Sequence, residues 1–307
     1  MPPSLPLSLT TALTLYPATN NMTIDKVYKT LTDILKKAGA DSPAFDAISL
    51  MEAVLGTKRS DLTLFPEKEV SHTDSEKLLA LAKRRALGEP LQYIIGYWEF
   101  FGRRFYVGEG VLIPRDDTEV VLSCTFEFLD SLKKDRPIKI LDLCSGSGIL
   151  AVSLKCRYPQ AQVTAVEISP LALPYLRRNA RENNADINII HADIFACADE
   201  FSDEEFDLII SNPPYVTDED MENLQREVRF EPSLALAGGK DGCDFYRKII
   251  PLYAKKLRNG GMLAFEYDGS QAHVIEALMI RADFCNISIF DDIGGVHRAI
   301  NGTLHKV

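Results

Sequence analysis

From Ile138 onward the chain alternates short, apolar, β-branched runs with stretches of helical periodicity, and no other feature limits its possible folds so tightly. Residues 139–143, 162–167, 187–191, 206–210 and 262–266 read as strands. Residues 148–158, 170–183, 246–257 and 271–282 read as the helices among them, and 287–290 and 298–304 as two closing strands. Such alternation implies a largely parallel sheet with helices on both faces. In sheets of that kind a ligand lies beyond the carboxyl ends of the strands, where the strand order reverses. The loops that follow strands are therefore the places to look for chemistry.

The loop after the first strand reads Asp142, Leu143, Cys144, Ser145, Gly146, Ser147, Gly148. Small residues there let a ligand approach the backbone closely. A dinucleotide site needs G-x-G-x-x-G, and Ala151 stands where its third glycine would fall. The loop resembles instead the first motif of methyltransferases that use S-adenosylmethionine, with Cys144 in place of the first glycine. A residue other than glycine avoids positive φ, so Cys144 is expected to restrict the turn and to bear on cofactor affinity. Glu167 ends the second strand, where a carboxylate can accept from both hydroxyls of a ribose; capping the next helix is the competing role. Asp193, with Ile194 beside it, follows the third strand and either accepts from an adenine amine or caps a helix. The candidate cofactor residues are thus Cys144, Ser145, Gly146, Ser147, Gly148, Glu167, Asp193 and Ile194, together with Asn212.

The fourth strand runs into Ser211, Asn212, Pro213, Pro214 and Tyr215. Prolines cannot donate to a ladder, so two of them after a core strand hold the backbone rigid. Pro214 also keeps Pro213 extended, which fixes the direction of the Pro213 carbonyl. A stiff loop that merely ends a strand is the plain alternative. Methyl transfer from a sulfonium to nitrogen needs the nitrogen lone pair held about 3 Å from the methyl carbon. The lone pair of a carboxamide or an aromatic amine is delocalised. Two acceptors that bind both of its N–H bonds hold the nitrogen and favour its pyramidal form. The Asn212 side-chain oxygen and the Pro213 carbonyl form such a pair, and Tyr215 is placed to pack on a flat substrate group. Asn212, Pro213, Pro214 and Tyr215 are the candidate catalytic residues.

Bulk properties exclude several classes. The 307 residues allow one large domain and a smaller one. A net charge of −10 opposes nucleic acid as the main partner, although 83–85 and 103–104 are locally basic. The six cysteines are scattered without a Cys-x-x-Cys pair, which argues for reduced thiols in a cytosolic protein. Histidines are isolated, so no metal is expected, and no apolar run reaches the roughly 18 residues of a membrane span. Residues 1–21 lack Lys and Arg and read as a disordered extension, or as sequence before a natural start at Met22. Residues 22–90 carry helical spacing from Thr23 onward, with caps at Ser42 and Ser71 or Thr73, and form a small helical bundle. Residues 91–117 are dense in aromatics, with a hairpin turn at Gly102, and read as a hinge. A helix is expected over 120–132, inside a second domain of 118–307.

Together these segments are similar to the release-factor glutamine methyltransferases (HemK/PrmC type). The resemblance rests on Asn-Pro-Pro-Tyr at 212–215, Pro-Leu-Gln-Tyr at 90–93, Trp-Glu-Phe-Phe-Gly at 98–102, and Leu-Ile-Pro-Arg at 112–115. It extends to Val-Arg-Phe-Glu-Pro at 228–232 and Gly-Gly-Lys-Asp-Gly at 238–242. Asp116 departs from the family pattern, which has a proline there. The resemblance implies a Rossmann-like α/β methyltransferase domain with a mostly parallel seven-stranded sheet, preceded by the helical domain and the hinge. It implies S-adenosylmethionine as cofactor. The implied substrate is the Gly-Gly-Gln glutamine of peptide-chain release factors, which the helical domain would recognise. The protein would act as a cytoplasmic monomer. Phe100 and Arg115 would close over cofactor or glutamine, with packing as the alternative role, so the candidate substrate residues are Asn212, Pro213, Tyr215, Phe100 and Arg115. Residues 228–232 are expected to support the Asn212 loop. A ribosomal-protein glutamine and adenine in DNA are alternative acceptors, and a catalytically silent binding module is the reading of another class.

Overall fold

Seven strands pair into one sheet: β1 (Lys139–Leu143), β2 (Gln162–Glu167), β3 (Asn188–His191), β4 (Phe206–Ser211), β5 (Leu257–Glu266), β6 (Phe284–Asp291) and β7 (His297–Leu304). This computed structural model describes residues 22–133 and 135–306, so the expectation for residues 1–21 lies outside the described residues. The spatial order is β3-β2-β1-β4-β5-β7-β6. The pairs from β3 through β5 are parallel, and β7 is antiparallel to both its neighbours. Strand order therefore reverses at β1, and Leu143 lies opposite Ser211 across the β1–β4 pair. That register sets the two chemically suggestive loops side by side at the carboxyl ends of adjacent strands.

The continuous apolar runs of β1 and β4 follow from burial on both faces. Successive side chains point to opposite faces of a strand. Ile140, Leu208 and Ile210 accordingly join one core with the helices Ile149–Arg157 and Leu173–Glu182. Leu141, Leu143 and Ile209 join a second core with the helices Asp244–Ala254 and Ala272–Arg281. Asp207 interrupts the apolar pattern of β4 and is buried. It accepts from Arg136 and Arg258, and from the Lys139 N–H at 2.8 Å.

The described chain divides into two units. One ends at Gly96 and takes in Arg226–Phe230; the other comprises Tyr97–Gln225 and the chain from Glu231 onward. The first is built on the helices Ile24–Lys37, Pro43–Leu55 and His72–Ala86, around Leu31, Leu35, Leu50, Met51 and Leu78. Thr23 and Ser71 cap two of these helices through their side chains, and Pro43 opens the third. Buried Arg85 pairs with Asp46 at 2.7 Å and with Glu227, and Arg226 donates to the Ala86 carbonyl at 3.0 Å, which ties the 226–230 segment into this unit. Residues 91–95 form a short helix that belongs to the same unit.

One local expectation holds and one changes. The hairpin forms as Tyr97–Phe100 paired with Arg103–Tyr106, turning at Phe101 and Gly102 with φ of 50° and 70°. The single helix expected over 120–132 is instead two, Thr118–Ser123 and Phe126–Ser131. The break has a side-chain cause. The Thr125 hydroxyl donates to the Leu122 carbonyl at 2.8 Å, and Asn301 donates to the Cys124 carbonyl at 2.9 Å, so carbonyls a continuous helix would use are taken elsewhere.

Candidate active site

A cavity of about 260 Å³ opens beyond the carboxyl ends of β1 to β4. Its floor is the loop after β1. The Ser145 N–H donates to the Val166 carbonyl (3.1 Å), the Ser145 hydroxyl to the Asp142 carbonyl (2.9 Å), and the Gly148 N–H to the Ser145 carbonyl (2.7 Å). Cys144, Ser145, Gly146 and Ser147 line the cavity. Gly148 does not. It turns at φ 84° into the following helix, where an added Cβ would lie 2.3 Å from Leu176. Its requirement is close packing rather than ligand contact. Cys144 adopts φ 59° despite its side chain, so the turn forms as in a glycine-bearing loop but with strain. Burial, with Glu167 and Asp142 nearby, pushes the Cys144 thiol up and keeps it protonated.

Carboxylates surround that floor. Glu167 Oε2 accepts from the Gly146 N–H at 2.6 Å, and Oε1 from the Ser169 N–H at 2.7 Å. Burial raises its pKa against the pull of these N–H groups. Each oxygen keeps a further lone pair for a ligand hydroxyl. Asp142 lines the cavity as well; burial pushes its carboxyl up to about 8, and its Oδ1 has no partner among the described residues. Asp193 and Ile194 are on the wall, and the Asp193 carboxylate also accepts from the Phe195 N–H at 2.8 Å, so the lining and capping roles coexist. An anchored glycine-type loop, a carboxylate with free lone pairs and an unpartnered buried oxygen fit a nucleoside-bearing cofactor.

Asn212 and Pro214 reach the cavity wall; Pro213 is buried away from that wall. Tyr215, expected to stack on substrate, is turned inward instead. Its hydroxyl donates to Glu266 Oε1 at 3.1 Å, and its ring packs against the second core. The loop is braced from one direction by Gln271, which donates to the Tyr215 carbonyl at 2.8 Å. From the other direction, Val216 pairs with Ala237, and an added Cβ on Gly238 would lie 2.6 Å from the Tyr215 Cα. The support expected from 228–232 thus comes from 236–242. Glu231 serves another wall: it accepts from the Ile113 N–H at 2.9 Å and pairs with Arg115, which lines the cavity as expected. Phe100 does not line it. The ring is buried in the first core, edge-on to Phe105, and its role is packing.

Several wall residues escaped the sequence reading. Phe195 and Phe245 lie with ring centroids 5.6 Å apart, and Ile168 and Leu234 remain 44% and 54% exposed. Thr118 sits beside Asn212, whose Nδ2 lies 3.4 Å from its hydroxyl. Glu266 had a readable signal, a carboxylate ending an apolar strand just as Glu167 does. The apolar rim had none, because its members come from separate loops.

A parallel-centred sheet in this order, with a glycine-type loop after β1 and Asn-Pro-Pro-Tyr after β4, defines a methyltransferase. The "Methyltransferase small domain" family matches residues 123–230, and the "PrmC N-terminal domain" family matches 26–96. A release factor glutamine methyltransferase of Geobacter sulfurreducens is 37% identical, over 92% of this chain and 97% of the relative. Relatives of the same name from Koribacter versatilis and Salmonella typhimurium are each 33% identical, over 92% and 86% of this chain and 98% and 93% of their own lengths. The chain belongs to the release factor glutamine methyltransferase family.

Proposed function

We propose that this protein transfers the methyl group of S-adenosylmethionine to the side-chain amide nitrogen of the Gly-Gly-Gln glutamine in peptide-chain release factors. The observation that carries this reading is Asn212, held by a rigid double-proline loop on the wall of a cavity whose floor is the glycine-type loop and Glu167. Glu167 holds the two ribose hydroxyls with its free lone pairs. Gly146 and Ser147 let the cofactor approach the backbone. Asp193 accepts from the adenine amine, and Ile194 with Phe195 covers the base. The bound cofactor supplies an electrophilic methyl group.

The first acceptor for the substrate amide is Asn212 Oδ1. The second, the Pro213 carbonyl, comes from a residue that does not line the cavity, so the amide must reach past Asn212 and Pro214 to meet it. Binding both N–H bonds turns the nitrogen lone pair toward the methyl carbon and opposes its delocalisation. The nitrogen would bond to the methyl carbon as the carbon–sulfur bond of the donor breaks, the electron pair of that bond leaving with the sulfur as a neutral thioether, and the nitrogen would lose one N–H proton to solvent. A protonated N-methyl amide is strongly acidic, so no dedicated base is needed. Arg115, fixed by Glu231, borders the same space. The helical unit recognises the body of the release factor. This activity belongs to translation termination and hence to the cytoplasm; among the described residues, no helix is long and apolar enough to cross a membrane.

Mass spectrometry of purified release factors after incubation with protein and cofactor tests the reading. One added methyl on the Gly-Gly-Gln glutamine, absent with Asn212→Ala, is the expected result. Methylation of a ribosomal-protein glutamine or of DNA, with release factors untouched, refutes it.

A further inference from the structure

We propose that Glu266 is a positioning residue: acting with Thr118, it fixes which way round the Asn212 amide faces. This rests on the reading of Asn212 as the acceptor for the substrate amide. Asn212 can serve only if Oδ1, and not the NH2 group, is turned to the substrate. The two orientations of a carboxamide have nearly the same shape, so packing alone chooses poorly between them. Something beside Asn212 must select one.

Glu266 is the last residue of β5 and is 1% exposed. Phe265 lies opposite Ser211 in the β4–β5 pairing, so Glu266 is level with Asn212. The Asn212 Nδ2 lies 3.4 Å from the Thr118 hydroxyl oxygen, which accepts from it. Thr118 is itself fully buried, and the second Glu266 carboxylate oxygen, Oε2, is buried with no hydrogen-bond partner among the described residues. Tyr215 donates to Oε1 of the same carboxylate at 3.1 Å, and the Tyr246 hydroxyl donates to the Glu266 main-chain carbonyl at 2.7 Å. The unpartnered Oε2 is the acceptor toward which the Thr118 proton and the Asn212 NH2 group are drawn, and both favour the ionised carboxyl. An ionised carboxylate only accepts. It therefore orients the Thr118 proton toward itself, leaves the hydroxyl oxygen to accept from Asn212, and so turns Oδ1 outward. A protonated Glu266 can donate, and the selection is lost.

Burial pushes the Glu266 carboxyl up to about 7, against the donors Thr118, Tyr215 and Asn212, while neighbouring Asp117 also raises it. The cations nearest this network are Arg298, paired with Asp117 at 3.1 Å, and Arg115, paired with Glu231. Burial, with Glu266 beside it, holds the Tyr215 hydroxyl protonated throughout this range. The device is therefore engaged above neutral pH and released below it.

The test compares the parent with Glu266→Gln, Thr118→Val and Thr118→Ser, measuring kcat for release-factor methylation from about pH 5.5 to 9 and cofactor affinity by calorimetry. Misplacing a reacting group by about 1 Å can cost on the order of 100-fold in rate, and a loss of that order in kcat is expected for Glu266→Gln and Thr118→Val. Cofactor affinity stays within about twofold, because no ribose or adenine contact is removed. The rise of kcat near neutral pH disappears in Glu266→Gln, and Thr118→Ser recovers most of what Thr118→Val loses. An unchanged kcat and pH profile in Glu266→Gln overturns the proposal, as does a Thr118→Ser no better than Thr118→Val. A second readout needs no substrate: the Asn212 side-chain amide NMR signals, assigned by their loss in Asn212→Asp, should shift through neutral pH in the parent and not in Glu266→Gln. A parent that leaves release factors unmethylated counts against the substrate assignment, and the amide signals then decide the role of Glu266. Signals indifferent to pH in the parent overturn it.

Discussion

Replacing Glu167 by glutamine changes one carboxylate oxygen to an amide NH2 group and little else in shape, and so isolates what the carboxylate does. Its oxygens accept from the Gly146 N–H at 2.6 Å and the Ser169 N–H at 2.7 Å. Glutamine has a single acceptor oxygen, so one of these N–H groups meets an NH2 instead. A buried donor left without an acceptor costs about 1–3 kcal/mol. On the proposed reading, the same substitution also weakens the hydrogen bonds to the ribose hydroxyls. Part of the first cost falls on the free protein as lost stability; the ribose loss falls on binding alone. We expect the dissociation constant for S-adenosylmethionine to rise about 10- to 100-fold, equivalent to roughly 1.4–2.8 kcal/mol. Calorimetric titration measures the affinity, and a thermal melt without ligand measures the stability. There is a pH signature too. Burial raises the pKa of Glu167 above its ordinary 4.5, so the parent should lose affinity as the pH falls through that raised value, while the glutamine variant should not. A variant that melts earlier but binds S-adenosylmethionine within about twofold of the parent refutes the ribose role, and leaves Glu167 as a support for the loop.

Three further outcomes follow from particular contacts. Gly238→Ala would place a Cβ 2.6 Å from the Tyr215 Cα and shift the Asn212 loop, so kcat in a methylation assay should fall by about 10- to 100-fold while cofactor affinity holds. At Cys144, φ of 59° strains any side chain, so Cys144→Gly should melt higher than Cys144→Ala, by about 1 kcal/mol in denaturant titrations. Burial works to raise the Asp207 carboxyl, but Arg136, the Lys139 N–H and Arg258 outweigh it and hold it below its ordinary 3.8. A lowered folded value contributes stability above 3.8 that is lost as pH falls through the folded value. Asp207→Asn should therefore cost roughly 2–4 kcal/mol at neutral pH, and flatten the acid limb of stability measured against pH.

The sheet was legible because its strands are buried on both faces. Burial on both faces forces apolar runs such as Phe206–Ser211, and those runs survive even with Asp207 inside, since Arg136 and Arg258 satisfy it. The loop after β1 was legible for a related reason: only small residues permit it. The helix expected over 120–132 failed because its periodicity is intact while its carbonyls are claimed by Thr125 and by Asn301, the latter far along the chain on β7. Phe100 and Tyr215 show the same limit at the site. Both are aromatic and both neighbour functional segments, yet one is drawn into the core by Phe105 and the other inward by Glu266. Residue type gives the chemistry a side chain can perform. Its direction depends on partners that no local spacing reveals.

One excursion of the chain, between β4 and the Asp244–Ala254 helix, carries both the Asn212 loop and the Glu231 that pairs with Arg115. It begins with Asn212, gives up Arg226–Phe230 to the helical unit, returns with Glu231 beneath Ile113 and Arg115, and passes Gly238 behind Tyr215 before the helix starts. Arg85 holds the middle of that excursion through Glu227. A change at Arg85 therefore acts on a segment covalently continuous, on both sides, with the Asn212 loop and the Arg115 wall. Arg85→Ala leaves the buried Asp46 carboxylate without its partner, a loss of about 3–5 kcal/mol for a buried ion pair, and frees Glu227. Arg85→Lys keeps the charge but cannot span both carboxylates with a planar fork. Arg85→Lys should thus retain most of the stability that Arg85→Ala loses, yet slow methylation of intact release factor. Equal rates for Arg85→Lys and the parent would show that the 226–230 segment serves the helical unit alone.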